Sequence, residues 1–242
     1  MRLIPAALVL VLSATTLRAE PTEVDAELCL AVDGSGSIEH DEFVFQRDGY
    51  ARALASPEVQ DAIARGYRRR IALAHMEWGG ADSMEPIVGW TLIDGPEAAA
   101  AFGAKLRAAP RRAHGWNSIS EAIAFCQRWM ESNDFRGPRM VIDVSGDAGQ
   151  YGGRPLALAR LQAVDAGITI NALALNYRGS GMAGPLDIPL IEHYQRDVIG
   201  GFAAFALAVD SQDQFIAALK RKLVLEIAGR SPDDGTAVAR SD

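Results

Sequence analysis

The sequence predicts an α/β fold, a doubly wound, mostly parallel sheet of six strands with helices on both faces. Three observations predict it. Strand-like and helix-like runs alternate from about residue 26 to residue 228, with no repeat, low-complexity tract or internal linker between them. Most of the strand-like runs are near-continuously apolar, as strands covered on both faces must be. The loops that follow several strands are rich in glycine and oxygen-bearing side chains, the composition of a ligand-binding edge.

Taken in order, the first 19 residues stand apart from the fold. Arg2 is a charged start, LIPAALVLVL an apolar run, and Leu17-Arg18-Ala19 a small-residue cleavage site, so 1–19 reads as a secretory signal peptide cut after Ala19. The stretch from Leu3 to Leu17 is shorter than the ~20 apolar residues of a membrane span and is interrupted by Ser13, Thr15 and Thr16. No later segment is long and apolar enough to cross a bilayer. The expected product is periplasmic or secreted, with one domain over 20–229 and a flexible tail over 230–242.

Within that domain ELCLAVD (27–33) is the first strand, followed by a helix at about 40–54. RIALAHMEW (70–78) and PIVGWTLI (86–93) are the second and third strands, with helices after them at 96–108 and 118–132. RMVIDVSG (139–146) and ITINALALN (168–176) flank a helix at 155–166. A Gly-rich loop (176–189), a helix at 187–197, a strand FAAFALAV (202–209) and a helix at 212–228 complete the chain. The last helix is marked by a capping box of Ser211 with Gln214, by Phe215, Leu219, Leu223 and Ile227 on one face, and by Gly229 as a stop.

Composition narrows the function. The whole chain has 242 residues and a formal charge of −7; without the first 19 residues, which include Arg2 and Arg18, 223 remain, with 22 basic against 31 acidic side chains and a charge of −9. An acidic exported chain of this kind is unsuited to nucleic acid. Its two cysteines, Cys29 and Cys126, pair only if the fold brings their Cα atoms within about 7 Å. Buried thiols in a strand and on an apolar helix face are the equal alternative.

Chemistry concentrates in Asp33-Gly34-Ser35-Gly36-Ser37, placed directly after the first strand. A D-x-S-x-S loop at a strand's carboxyl end turns two hydroxyls and a carboxylate toward one point, its glycines allowing the tight path. Oxygen-only donors suit a hard cation such as Mg²⁺. Read instead as a dinucleotide loop, the segment has Glu39 where the third glycine of G-x-G-x-x-G belongs; a plain Ser/Gly turn capping the next helix is the other alternative. Asp147 ends the fourth strand, and Asn117 and Ser118 precede the helix before it. If the strands are ordered 3-2-1-4-5-6, strands one and four are neighbours and Asp33 faces the same crevice as Asp147.

On these residues the chain resembles a von Willebrand factor A-type domain, a Rossmann-like fold with a metal-ion-dependent adhesion site, over nearly all of residues 20–242. More narrowly HMEWGG, GWTLIDG, NSISEAI, VIDVSGD, VIGGFAAF and KRKLVLEIAG are similar to motifs of an uncharacterised family of exported bacterial A-type proteins. The resemblance implies a site for Mg²⁺, or for Mn²⁺ or Ca²⁺, built by Asp33, Ser35, Ser37, Asn117 and Asp147. Ser35 and Ser37 would ligate directly, Asp33 and Asp147 mainly through water, and Asn117 stands where the family has threonine. It also implies a protein ligand presenting Asp or Glu, whose carboxylate completes the cation's coordination. Trp116, Tyr151, Tyr177, Arg111 and Arg112 are the expected rim.

Two other classes stay open. A metal-dependent hydrolase would use the same cation to activate water, with Asp147 or Glu77 as base; a metal-free scaffold would carry a degenerate site. His75-Met76-Glu77 resembles the H-x-E of zinc deaminases but lacks the P-C-x-x-C partner. His40, His114 and His193 follow no metal-ligand spacing, and neither a G-x-S-x-G elbow nor a phosphate-binding G-x-x-x-x-G-K-[ST] loop is present.

Overall fold

A computed structural model describes residues 20–36, 38–178 and 188–232. Residues 1–19, over which a signal peptide is expected, Ser37, most of the Gly-rich loop after residue 178 and the residues beyond 232 lie outside the described residues.

Six strands form the sheet: β1 (Glu27–Asp33), β2 (Ile71–Trp78), β3 (Met84–Ile93), β4 (Met140–Gly146), β5 (Ile168–Leu175) and β6 (Ala206–Val209). Their order is β3-β2-β1-β4-β5-β6, parallel throughout except for the antiparallel edge strand β3. Only residues 79–83 join β2 to β3, too few for a parallel crossover and enough for an antiparallel return. A short parallel pair, Thr22–Glu23 with Phe135–Arg136, closes the amino-terminal end of the domain.

The helices are α1 (His40–Leu54), α2 (Pro57–Ala64), α3 (Pro96–Ala108), α4 (Ile119–Glu131), α5 (Leu156–Asp165), α6 (Leu190–His193) and α7 (Phe215–Ala228). Alternation along β1 divides the core in two. Leu28, Leu30 and Val32 pack with Tyr50, Phe102, Phe215 and Leu219 on the α1, α3 and α7 face, and Cys29 and Ala31 pack with Ile119, Ile123 and Cys126 of α4 and Ala159 of α5 on the other. All residues of β1 and β2 are buried, which is why both read as near-continuous apolar runs. Cys29 and Cys126 form a disulfide across the second layer, with Cα atoms 6.0 Å apart.

Several predicted elements shift. The sixth strand begins at Ala206 and not at residue 202, because Gly201 and Ala203 take positive φ values of 94° and 54° and turn Phe202 into solvent. The helix expected over 187–197 is one turn of α6 followed by a π turn, Tyr194–Val198. α2, absent from the sequence reading, follows Ser56 with Pro57 at its first position, a start signal that sequence can carry. The capping box of Ser211 does not form: its hydroxyl makes no cap, a 3₁₀ turn over Gln212–Gln214 precedes α7, and the Gln214 side chain accepts the Asp210 N–H. Gly229 does end α7 in the left-handed conformation (φ 65°, ψ 42°).

Candidate metal-binding site at the carboxyl edge of the sheet

The order β1-β4 sets Asp33 and Asp147 at neighbouring strand ends, with Val32 opposite Ser145 in the register. Asp33 folds its own loop back: its Oδ1 accepts the Ser35 N–H at 2.8 Å. Gly34 extends the β1–β2 ladder by one bond, donating to the Trp78 carbonyl at 2.9 Å. A side chain at position 34 would lie 2.9 Å from the Ala113 Cβ, so only glycine permits this approach.

Asn117 and Ser118 lie just ahead of α4, and three stitches bind their loop to the others. Gly36 N–H donates to Gly115 at 3.1 Å, Ser118 N–H to Gly79 at 2.8 Å, and Tyr151 N–H to the Asn117 carbonyl at 2.5 Å. The loop after Asp147 is anchored on α4 as well. The Gln150 side chain accepts the Ser120 N–H and donates to the Ser120 hydroxyl, and Arg154 forks onto Glu121. Behind it, the Tyr194 hydroxyl donates to the Ala148 carbonyl at 2.9 Å, and the His193 ring pairs with Asp197 at 2.7 Å.

Asp33, Ser35, Asn117 and Asp147 are each no more than 3% exposed. Buried at this edge, Asp33 Oδ2 and Asn117 Oδ1 have no hydrogen-bond partner among the described residues. Oxygens left this way lose their hydration without compensation unless an ion or water satisfies them. Burial, and then the charge of Asp147, push the Asp33 carboxyl up to about 7. A cation would reverse both pressures, and a set of carboxylate, amide and hydroxyl oxygens is the chemistry a hard dication takes. Among the described residues no three His, Cys, Asp or Glu side chains gather as metal ligands, so such an ion would depend on the hydroxyl and amide donors. Ser37 lies outside the described residues.

The residues expected at the rim divide. Trp116 and Tyr151 are each 64% exposed, with ring centroids 6.0 Å apart. Arg112 is exposed. Arg111 is half-buried and donates to the carbonyls of Gly34 (3.3 Å) and Ser35 (2.8 Å), holding the D-x-S backbone. Tyr177 is half-buried, its hydroxyl donating to Glu42 of α1 at 2.7 Å.

A buried ion pair beneath the site was not read from sequence. Arg47 of α1 forks onto Glu77 of β2 at 2.7 and 3.0 Å and also reaches the carbonyls of Ala109 and Pro110. Its guanidinium lies 4.1 Å from the Phe43 ring centre, and that of Arg111 lies 5.3 Å from it. Arg47 therefore clamps α1, β2 and the loop after α3 together. The available signal was its place on the apolar stripe Phe43, Arg47, Tyr50, Leu54, where an arginine needs a buried partner.

The strand order, with helices on both faces, is the fold of von Willebrand factor A-type domains. Proximal thread matrix protein 1 of the mussel byssus is similar at 15% identity and a TM-score of 0.60, over 87% of this chain and 49% of that one. A second structure of that mussel protein is described as having a zinc-occupied MIDAS motif. The von Willebrand factor type A protein of Catenulispora acidiphila is similar at 11% identity and TM-score 0.59, over 84% of this chain and 43% of that one. The vWF domain of the type V pilus tip protein Mfa5 of Porphyromonas gingivalis is similar at 9% and TM-score 0.53, over 83% and 94%. The chain thus spans about half the length of the first of these structures. By sequence it belongs to the family described as "Protein of unknown function (DUF1194)", which matches residues 23–231. No curated protein matches it.

Proposed function

We propose that the protein is an exported, metal-dependent protein-binding module. Asp33, Ser35, Ser37, Asn117 and Asp147 hold a divalent cation, Mg²⁺ foremost and Mn²⁺ or Ca²⁺ as alternatives, and the partner presents an Asp or Glu carboxylate to it. The observation that carries this reading is the pair of buried, unpartnered oxygens, Asp33 Oδ2 and Asn117 Oδ1, on loops stitched to one another by backbone hydrogen bonds. The bound cation would supply a positive centre that an anionic ligand completes. Everything else is the chain's own work: Arg111 fixes the D-x-S backbone, Gln150 and Arg154 fix the Asp147 loop on α4, and neutral donors leave charge for the partner to neutralise. Export rests on the apolar leader of residues 3–17; among the described residues no helix is long and apolar enough to cross a membrane.

The hydrolase alternative weakens because one of its two candidate bases is occupied. Burial pushes the Glu77 carboxyl up, but His75 and the Arg47 fork pull it down by more, and it ends below its ordinary value. A carboxylate held in a bidentate pair is structural. The scaffold alternative leaves the two orphaned oxygens unexplained.

Thermal unfolding with and without Mg²⁺, Mn²⁺ and Ca²⁺ tests the metal reading. At a hundredfold excess over Kd, binding contributes about 2.7 kcal/mol, roughly 5–10 °C in a domain of this size. Wild type should show that rise and Asp33→Ala should not; equal behaviour of the two sinks the metal site.

A further inference from the structure

Trp116 and Tyr151 are the two large aromatic side chains left in solvent on the metal-donor loops. Each adjoins the site through the backbone. Trp116 precedes the donor Asn117 in the chain, and the Tyr151 N–H is bonded to the Asn117 carbonyl. Their rings touch each other at a 45° tilt, and the backbone under them has no slack. Gly80 N–H donates to His114 at 2.7 Å, and a Cβ on Gly79 would lie 2.0 Å from the His114 carbonyl oxygen. Gly115, the residue before Trp116, takes a φ of 83° and packs on Gly80. The pair thus forms an apolar ridge on a backbone that these contacts fix, and Trp and Tyr are enriched among the residues that dominate binding energy at interfaces.

We propose that this ridge reads the residue next to the partner's carboxylate, so that the recognised element is an acidic residue with an aromatic or large aliphatic neighbour on a peptide segment. The inference rests on the metal reading and names its partner class. The carboxylate is directed to the cation, and the exposed Arg112 adds positive charge on the loop that leads to Trp116. The neighbouring side chain then covers the two rings, removing apolar surface from water.

The test is selection from a phage-displayed library of random heptapeptides on the purified protein in Mg²⁺, with elution by EDTA. Eluted peptides should carry Asp or Glu with Phe, Trp, Tyr, Leu, Ile or Met within two positions. A synthetic copy should bind Trp116→Ala/Tyr151→Ala at least about tenfold more weakly than wild type, and Trp116→Phe/Tyr151→Phe within about threefold of it. Acidic peptides without apolar enrichment, or wild-type affinity in the alanine variant, overturn the inference while leaving the metal reading intact. Failure to select any peptide, with polygalacturonate binding wild type but not the alanine variant, overturns it in favour of a saccharide. Absence of Mg²⁺ binding by wild type removes the metal reading and this inference with it.

Discussion

Glu226 carries an electrostatic cost that its neighbours only partly relieve. Its Oε1 accepts from Asn171 and pairs with Lys222, which is also 2.5 Å from Asp143, and Lys222, Asp143 and Glu226 are all at most 2% exposed. Two carboxyls thus share one ammonium, with the Tyr50 phenol influenced by both and Arg139 at the same α7 end. Burial first, and then Asp143, push the Glu226 carboxyl up to about 7, against the pull of Lys222 and Asn171. A carboxyl whose folded pKa lies above its unfolded value binds its proton better in the native state. It therefore costs nothing at acid pH and penalises folding increasingly as pH rises from about 4.5 through 7. Glu226→Gln keeps an acceptor for Lys222 and removes that penalty, so its stability relative to wild type should rise between pH 5 and pH 8. Urea midpoints at the two pH values check this, and a constant difference would refute it. Asp33, raised likewise, is common to both proteins and cancels.

At the scale of elements, α1 follows the D-x-S loop, and its position is set by what packs on it. Gly49 faces α7, where an added Cβ would sit 2.6 Å from Phe215 Cε1. Phe215 has no room to retreat: it is fully buried, with Phe45 at 5.3 Å and Tyr50 at 6.2 Å between ring centres. Two effects of Gly49→Ala oppose each other. Helix propensity favours alanine by about 1 kcal/mol, and overpacking of a full core costs about 1–3 kcal/mol. The clash is with a packed ring and not a flexible chain end, so overpacking should win, with a net loss of up to about 2 kcal/mol by urea denaturation. Phe215→Leu in the same chain should relieve part of it, giving a smaller loss than the two single changes added together.

For the whole molecule, the six strands were legible because apolar runs mark doubly covered strands; their order entered only as a condition, that of the doubly wound class, and the structure meets it. α2 was missed for lack of an apolar stripe beyond Val59 and Ile63, and the start of β6 because FAAF is apolar whether it pairs or turns. Of the candidate site, the proposed donors stand out as motif residues, but what holds their loops does not. The Arg47–Glu77 clamp, the Arg111 bonds to Gly34 and Ser35 and the Gln150 bridge join segments 30 to 77 residues apart, and no local pattern encodes a partner that distant. The disulfide was undecidable for the same reason. It joins β1, four residues before Asp33, to α4, nine residues after Asn117, across a separation of 97 residues, so it ties together the two elements that present these donors. Closing so long a loop restricts the unfolded chain more than the folded one, and Cys29→Ala/Cys126→Ala should lose about 2–5 kcal/mol of stability. The donor loops remain stitched by their own hydrogen bonds in that variant. The metal-dependent rise in melting temperature should therefore persist at a lower starting temperature, and its disappearance would show that the cross-link, and not the loop network, positions the donors.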